Sequence, residues 1–481
     1  MDVIFWTGIY GNLSRPIGPY QLAFWLRKHG YDCQVIDFVQ RLSGPEIVEF
    51  TRKFITNNTI CIGLSSTFWA EYRSGRFRAS DKIPENLKYA LDIIKSEYPK
   101  IKFVLGGNQV DYLNKETINL FDIVFSGAGE DTFLNYLEDI RKGKKQVFSL
   151  ETRYGVPYKT GMLTGKFNIQ ENDHLFSDQD CIVDGETLPI EISRGCIFKC
   201  TYCQYPYIGK KKLDYVRHID HIKNEMVHNY ERFKTKNYFI LDDTFNDTPV
   251  KMDMWFECTS SLNFDIEYTC YMRADLLSRN EDQIEKFKDS GLVSVFFGIE
   301  SFHPETSKII GKGWSGKEGK IFLPRLKNIW KNDVTIHLSF IVGFPEETRE
   351  EYRETQSWCF ENNMDSWIWQ PLYINRTPRL FSSELEREPE KFGFSFIGDK
   401  WFNKRYSSAT AFNLSVQLNQ ERNRLNTQKI TTWGLLNLMS LGYTSEYLNN
   451  TYQHNIDLSL LASKEELFLD MYKSKLNSIS V

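Results

Sequence analysis

No stretch of the 481-residue chain approaches about 18 consecutive apolar residues, the length that crosses a bilayer. The first residues, MDVIFWTGIYGNL, also lack a basic segment followed by an apolar one. Neither a membrane span nor a secretory signal is expected, which places the protein in the cytoplasm. Proline and glycine are sparse, at 15 and 29 residues, so collagen-like and low-complexity chains are excluded. No charge of one sign dominates: 59 Lys plus Arg against 63 Asp plus Glu leave −4, with no global pull toward nucleic acid or anionic lipid. Partners must therefore be argued from sites. Cysteine is scarce, nine in all, too few for a disulfide scaffold. Cys33, Cys61, Cys181, Cys258, Cys270 and Cys359 stand alone, and the other three fall within one short segment. What is present is a globular composition, 41% hydrophobic and 25% charged, and at roughly 150 residues per domain it predicts about three domains.

Residues 1–150 alternate short apolar runs (VIFW, CQVIDF, ICIGLSS, KFVLGG, DIVFSG) with helical patterns through Tyr20 to His29, Pro45 to Thr56, Glu85 to Tyr98 and Asp131 to Arg141. Strand and helix in repetition predict a parallel sheet covered on both faces, which binds ligands at the carboxyl ends of its strands. Four of those ends carry small residues: Gly8 and Gly11, Ser65 and Ser66, Gly106 and Gly107, Gly127 and Gly129. Each glycine alone makes only a turn; four exits together point to a pocket. Arg73, Arg76 and Arg78 follow the third strand in a solvated loop or an anion clamp. From 151 to 184 the periodicity fades among Gly155, Pro157, Gly161 and Gly165, which reads as a linker.

The segment EISRGCIFKCTYCQYP places Cys196, Cys200 and Cys203 on one loop directly after an apolar strand. Three thiolates so close in sequence ligate a cluster or metal without a long loop closure. A zinc site recruiting His218 or His221 is the alternative, although zinc knuckles prefer a second cysteine pair and none follows. Strands and helices alternate again over 185–375, predicting a partial barrel whose working residues lie at strand ends. Those ends read FILDDTF (Asp242, Asp243), YMRAD (Arg273), FFGIES (Glu300, Ser301) and FIVGFPEET (Ile341, Val342, Gly343, with Pro345 starting the next helix). GKKKLDYVRH adds Lys210, Lys211 and Lys212, a surface run or a contact for an anionic substrate. Residues 376–481 carry helical spacing and predict a small helical domain, either a cap on the barrel or a packing element.

The cysteine loop closely resembles the signature of radical S-adenosylmethionine (SAM) enzymes, and the strand-end motifs follow in that family's order. The pieces IGPYQLAFWLRKHGYDCQVIDF, CIGLSSTFW, KFVLGGNQVDYL and FDIVFSGAGEDTFLNYL resemble the cobalamin-binding-type domain that precedes many of these enzymes. The resemblance implies an α/β chain in three parts: an N-terminal Rossmann-like domain (1–150), then, after the linker 151–184, a radical SAM barrel (185–375), then the helical C-terminal domain (376–481). It implies a 4Fe-4S cluster on Cys196, Cys200 and Cys203 that cleaves SAM reductively to a 5′-deoxyadenosyl radical. It implies SAM contacts from Tyr202, Asp242, Asp243, Arg273, Glu300, Ser301 and Val342, and an electron donor such as flavodoxin or ferredoxin. Cobalamin is the third cofactor in view, with Gly8, Gly11, Ser65, Ser66, Gly106, Gly107, Gly127 and Gly129 as its pocket. The family's Asp-x-His-x-x-Gly is absent, so cobalt would lack that lower histidine, and His29, at a helix end, caps carbonyls instead. The substrate is a small molecule or a modified biopolymer, with nucleic acid not indicated. Three outcomes stay open: cobalamin-dependent methylation, cobalamin-independent rearrangement or cyclisation, and a non-catalytic metal-stabilised binding protein.

Overall fold

The structure, a computed structural model, describes residues 1–9, 11–66, 72–73, 76–77, 83–107, 110, 113–144, 152–161, 166–203, 213–374, 382–398 and 400–480. Lys210, Lys211, Lys212 and Arg78 lie outside the described residues. The chain divides into two compact units, one of 1–189 with 225–235 and 462–481, the other of 190–224 with 236–461.

The first unit is built on strands β1 (Val3–Trp6), β2 (Cys33–Ile36), β3 (Cys61–Ser65), β4 (Lys102–Gly107), β5 (Ile123–Gly127) and β6 (Val156–Gly161), side by side in the order β2-β1-β3-β4-β5-β6 and all parallel. Thr152–Arg153 adds a short antiparallel edge beside β6. Every residue of β1 and β2 is buried, which is why these strands read as unbroken apolar runs instead of alternating ones. Helices Ile17–Lys28, Gly44–Phe54, Glu85–Glu97 and Glu130–Arg141 cross between strands close to the expected positions. Ser43 and Glu46 form a capping box that starts the second of these helices at Gly44. Strand β6 falls in the stretch 151–184, whose glycines and polar residues show no strand period.

A buried cation ties distant segments of this unit together. Arg15 donates to Glu186, to Tyr20 Oη at 2.5 Å and to the carbonyl oxygens of Asp180 and Cys181 at 3.0 and 2.9 Å. Tyr20 donates to Asp37 at 2.7 Å, and the Asp37 amide donates to Tyr472 Oη at 2.7 Å. Tyr472 belongs to the last helix, Leu458–Ser478.

The second sheet holds β7 (Leu188–Ile190), β8 (Asn237–Ile240), β9 (Glu267–Met272), β10 (Leu292–Glu300), β11 (Thr335–Val342) and β12 (Ser366–Pro371) in sequence order. From β8 to β12 every neighbour is parallel. Sequential parallel strands with helical crossovers are the connectivity of a partial (β/α) barrel. In β9 Glu267 and Tyr271 are half-buried and the other four residues are buried. Ile430, Leu435, Leu438, Met439 and Leu448 pack with Val293 beneath β10. Ser395–Ile397 and Lys400–Phe402 form a hairpin that the helical spacing of the C-terminal region gave no sign of, turned at Gly398 with φ +59°.

Candidate functional site

The cysteine loop leaves the sheet just after β7. Gly195, at φ +83°, makes the turn in a conformation that other residues rarely adopt. Thr201 fastens the far side: its amide and hydroxyl donate to the carbonyls of Ile310 and Ile309 at 3.1 and 2.7 Å, and its carbonyl accepts from the Leu385 amide at 2.8 Å. Cys196, Cys200 and Cys203 are all half-buried, whereas the other six cysteines are buried. Burial pushes the thiols of Cys33, Cys181 and Cys258 up to about 12, so these stay protonated and act as small apolar side chains. Burial also raises the Cys200 thiol, with Lys312 and then Arg273 pulling the other way.

The sulfurs of Cys196 and Cys200 have hydrogen-bonding neighbours on other strand ends. Thr244 Oγ1 lies 3.3 Å from Cys196 Sγ, and Arg273 Nη1 donates to Cys200 Sγ at 3.7 Å. Neutral or cationic donors around thiolates are what an anionic iron–sulfur cluster requires, so the three-thiol loop fits such a group. Among the described residues no group of three or more His, Cys, Asp or Glu side chains, the three cysteines included, closes on one point as a site for a single metal ion.

The paired aspartates after β8 have different surroundings. Asp242 turns inward and is spent on the chain itself: Oδ1 accepts from the amides of Ile192 and Ser193 at 3.0 and 2.9 Å, and Oδ2 from Ser193 Oγ at 2.6 Å and Lys251 Nζ at 3.0 Å. It fixes the strand exit leading to the cysteines, which leaves half-buried Asp243 as the carboxylate of the pair to weigh for SAM. Lys251 is the residue that sequence reasoning missed here. Its side chain is entirely buried, and Asp247 Oδ1 at 2.9 Å, the Thr244 carbonyl at 3.2 Å and Ser193 Oγ at 3.1 Å complete its shell.

Arg273 is held by several partners at once. Nε and Nη2 donate to the two oxygens of Asp275 at 2.9 Å each, Nη2 donates to the Lys312 carbonyl at 2.7 Å, and the guanidinium sits 4.1 Å from the centre of the Phe198 ring. The side chain is buried, so its pairing with Asp275 is not a surface pair, and through Cys200 and Phe198 it braces the cysteine loop.

Glu300 stands at a register shift between β10 and β11 with φ +67°, so the bulge turns its carboxylate away from the sheet's regular pleat. There Oε1 accepts from Tyr202 Oη at 2.7 Å and Lys312 Nζ at 2.8 Å. The structure thus brings Tyr202 of the cysteine loop and Glu300 together, with Lys312 as an unforeseen third member. Only a generic lysine after two glycine-flanked turns could have hinted at it. Ser301 follows Glu300, and its hydroxyl accepts from the His303 amide at 2.9 Å and donates to Glu347, a carboxyl that burial pushes up to about 8. Val342 is fully buried, and its carbonyl accepts from the Leu372 amide at 2.7 Å. Pro345 lies in a turn and does not start the next helix, which begins at Arg349 because Thr348 and Glu351 form its capping box.

At the strand exits of the first unit, no described atom comes within 4 Å of a Cβ added at Gly11, and none comes nearer than 3.9 Å at Gly106. Gly107 and Gly127 take φ of +112° and +94°. Thr7 Oγ1, Gln40 Oε1 and Ser66 Oγ are buried there without a hydrogen-bond partner among the described residues. Open glycines beside orphaned polar atoms suit a ligand with amide or phosphate groups. Gly8 answers to a different need: an added Cβ would meet Gln40 Oε1 at 1.9 Å, and Gln40 Nε2 donates to the Gly8 carbonyl at 2.7 Å. Gly129 precedes helix Glu130–Arg141 with ordinary contact to Leu22, and Ser66 donates its amide to the Gly106 carbonyl at 2.8 Å. His29 is exposed and its Nδ1 meets the Trp25 carbonyl at 2.8 Å, as a helix-end residue does.

A Rossmann-like parallel sheet joined to a second, sequentially ordered parallel sheet with three thiols at its first exit defines the class of protein. Residues 190–359 match the Radical SAM superfamily, so the chain carries a radical SAM domain after an N-terminal Rossmann-like sheet, and it is an enzyme. An uncharacterized methyltransferase of Pyrococcus horikoshii is 25% identical over 378 residues, covering 74% of this chain and 75% of its own. The hopanoid C-3 methylase of Methylococcus capsulatus is 24% identical over 374 residues, 74% of this chain and 66% of its own. Among solved structures, the radical SAM methyltransferase TsrM of Kitasatospora setae, with cobalamin and a 4Fe-4S cluster bound, superposes with a TM-score of 0.59 at 15% identity, covering 80% of this chain and 74% of that one. The cobalamin-dependent SAM radical enzyme OxsB, with aqua-cobalamin and SAM bound, gives 0.56 at 14% identity over 99% and 72%. At these identities the structural matches speak for the fold.

Proposed function

We propose that this chain is a cobalamin-using radical SAM methyltransferase. The observation that carries the reading is the three half-buried thiols on one anchored loop, with Thr244 and Arg273 aimed at two of the sulfurs. Cys196, Cys200 and Cys203 hold the 4Fe-4S cluster, which when bound supplies the single electron that cleaves SAM. Tyr202, Asp243, Glu300 and Ser301 bind and orient SAM, with Lys312 fixing the Glu300 carboxylate. Arg273 and Asp242 hold the loop that carries the cysteines.

Cobalamin occupies the strand exits of the first unit, where Thr7, Ser66 and Gln40 supply polar partners and Gly11 and Gly106 supply room. When bound it supplies the methyl carrier. The relatives that favour methyl transfer are named as methyltransferases or methylases, and two solved enzymes of the same fold hold cobalamin. The substrate is a small molecule or a modified biopolymer, and a low-potential protein such as flavodoxin or ferredoxin delivers the electron. No described helix is long and apolar enough to cross a membrane.

Anaerobic reconstitution with iron and sulfide, followed by dithionite and SAM, tests the reading. The expected result is broad visible absorbance from the cluster and release of the products of SAM cleavage. A protein that takes up zinc but no iron–sulfur cluster, and leaves SAM intact, overturns it. Cobalt retained in stoichiometric amount after loading with hydroxocobalamin supports methyl transfer; a loaded cluster without cobalt restricts the enzyme to cobalamin-independent radical chemistry.

A further inference from the structure

Among the contacts of the cysteine loop, that between Thr244 and Cys196 has a chemical direction. Either group donates when both carry protons. A sulfur bound to iron has no proton, so in the cluster-loaded protein the hydrogen between them belongs to the Thr244 hydroxyl.

The position of that hydroxyl is fixed from behind. Thr244 is 6% exposed, and its carbonyl accepts from Lys251 Nζ at 3.2 Å. Lys251 in turn is gripped by Asp242 at 3.0 Å and Asp247 at 2.9 Å, and Asp247 accepts from Tyr215 Oη at 2.8 Å. The next residue, Phe245, donates its amide to the Tyr271 carbonyl at 2.8 Å. A dehydrated ammonium is costly unless every donor is met, so this one has few alternative positions. Asp242 bonds the amides of Ile192 and Ser193 in the segment that leads from β7 to Cys196. One buried lysine therefore sets both partners of the contact, the donor through Thr244 and the acceptor through Asp242.

A hydrogen bond donated to a ligating sulfur draws electron density from it and stabilises the reduced, more negative cluster over the oxidised one. We propose that Thr244, fixed by Lys251, is a positioning residue that raises the reduction potential of the cluster on Cys196, Cys200 and Cys203 by hydrogen bonding to the Cys196 sulfur. The inference rests on the cluster reading above. One electron from an external low-potential reductant enters the cluster, and no proton crosses the Thr244 bond.

The experiment compares the parent with Thr244→Val, which keeps the shape and removes the hydroxyl, and Thr244→Ser, which restores it. Each protein is reconstituted anaerobically, assayed for iron and sulfide, and titrated with dithionite while the reduced cluster is followed by electron paramagnetic resonance. Thr244→Val is expected to bind the parent's complement of iron and to titrate at a more negative potential. At the parent's midpoint, its ratio of reduced to oxidised cluster falls about threefold or more. Thr244→Ser titrates with the parent. A fully loaded Thr244→Val at the parent's midpoint overturns the proposal, and so does loss of iron in Thr244→Val that Thr244→Ser does not repair, because Thr244 then only shapes the loop. A parent that assembles no cluster fails at the first assay and overturns the cluster reading itself.

Discussion

The carbonyl of Lys312 accepts a 2.7 Å hydrogen bond from the Arg273 guanidinium, while the ammonium of the same lysine reaches Glu300 at 2.8 Å. One residue thus joins the ends of β9 and β10, and through Glu300 it meets Tyr202 of the cysteine loop. Replacing Lys312 with Met keeps the carbonyl and removes the ammonium. Charged hydrogen bonds of this kind are worth about 1.5–3 kcal/mol. SAM affinity is expected to fall about tenfold or more, with iron content unchanged, as read by equilibrium dialysis of the reconstituted protein. Parent-like SAM binding removes Lys312 and Glu300 together from the site.

Cys200→Ala leaves two thiols on the loop and deprives the Arg273 Nη1 donor of its sulfur. Release of 5′-deoxyadenosine from SAM is expected to stop, because the cluster loses a ligand it requires. The check is chromatographic quantification after dithionite reduction, and a parent-like rate in the variant contradicts the ligand assignment.

Lys251→Met leaves Asp242 and Asp247 buried without their cation. Breaking such a buried pair from one side costs about 3–5 kcal/mol. Urea unfolding followed by circular dichroism is expected to report a loss of that order, with iron uptake reduced in parallel. Lys251→Met at parent stability contradicts the account of Asp242 as a structural residue.

The strand ends and the cysteine loop were legible because each is a local pattern. Apolar runs such as VIFW and CQVI are buried on both faces, and three cysteines within eight residues need no tertiary information to be read together. The support around them was not legible. Lys251 lies on a helix starting at Pro249 and Lys312 in a turn after Ile310, and only the order of the strands brings either to the cysteines. Asp242 and Asp243 are chemically identical in the sequence, and the pleat of the strand exit alone decides which one turns inward. Likewise the last helix has the spacing of many amphipathic helices, and nothing in that spacing says that Tyr472 meets the amide of Asp37.

Glu347 gives the fold a pH dependence. It is 2% exposed, and burial pushes its carboxyl up to about 8 despite the hydroxyls of Ser301 and Thr306. In the unfolded chain an ordinary glutamate ionises near pH ~4.3. A group whose folded value is raised stabilises fully below its unfolded value and loses that contribution as pH rises through the folded one. The parent is therefore expected to lose on the order of 4 kcal/mol from this group between about pH 5 and pH 9. Glu347→Gln, which keeps the shape and cannot ionise, flattens that slope. Urea midpoints at the two ends of the window decide it, and equal slopes for parent and variant rule the contribution out.

Gly106 separates a pocket from a turn. Its φ is not in the left-handed region, and a Cβ added there comes no nearer than 3.9 Å to the backbone carbonyls of Leu64 and Phe125. Neither backbone strain nor crowding by the described residues therefore requires glycine at this position. If the glycine serves ligand approach, Gly106→Val fills the space that cobalamin needs and leaves the sheet intact, since β-branched residues suit strands. The expected outcome is a thermal midpoint close to the parent's, an unchanged iron–sulfur spectrum, and cobalt content after hydroxocobalamin loading reduced about tenfold. Gly8 provides the contrast, because Gln40 occupies its Cβ position and Gly8→Val is expected to destabilise the unit whether or not cobalamin is present. Stoichiometric cobalt in Gly106→Val moves the methyl carrier away from this strand exit; cobalt lost from Gly106→Val with stability retained ties the small residue at the end of β4 to cobalamin and not to the fold.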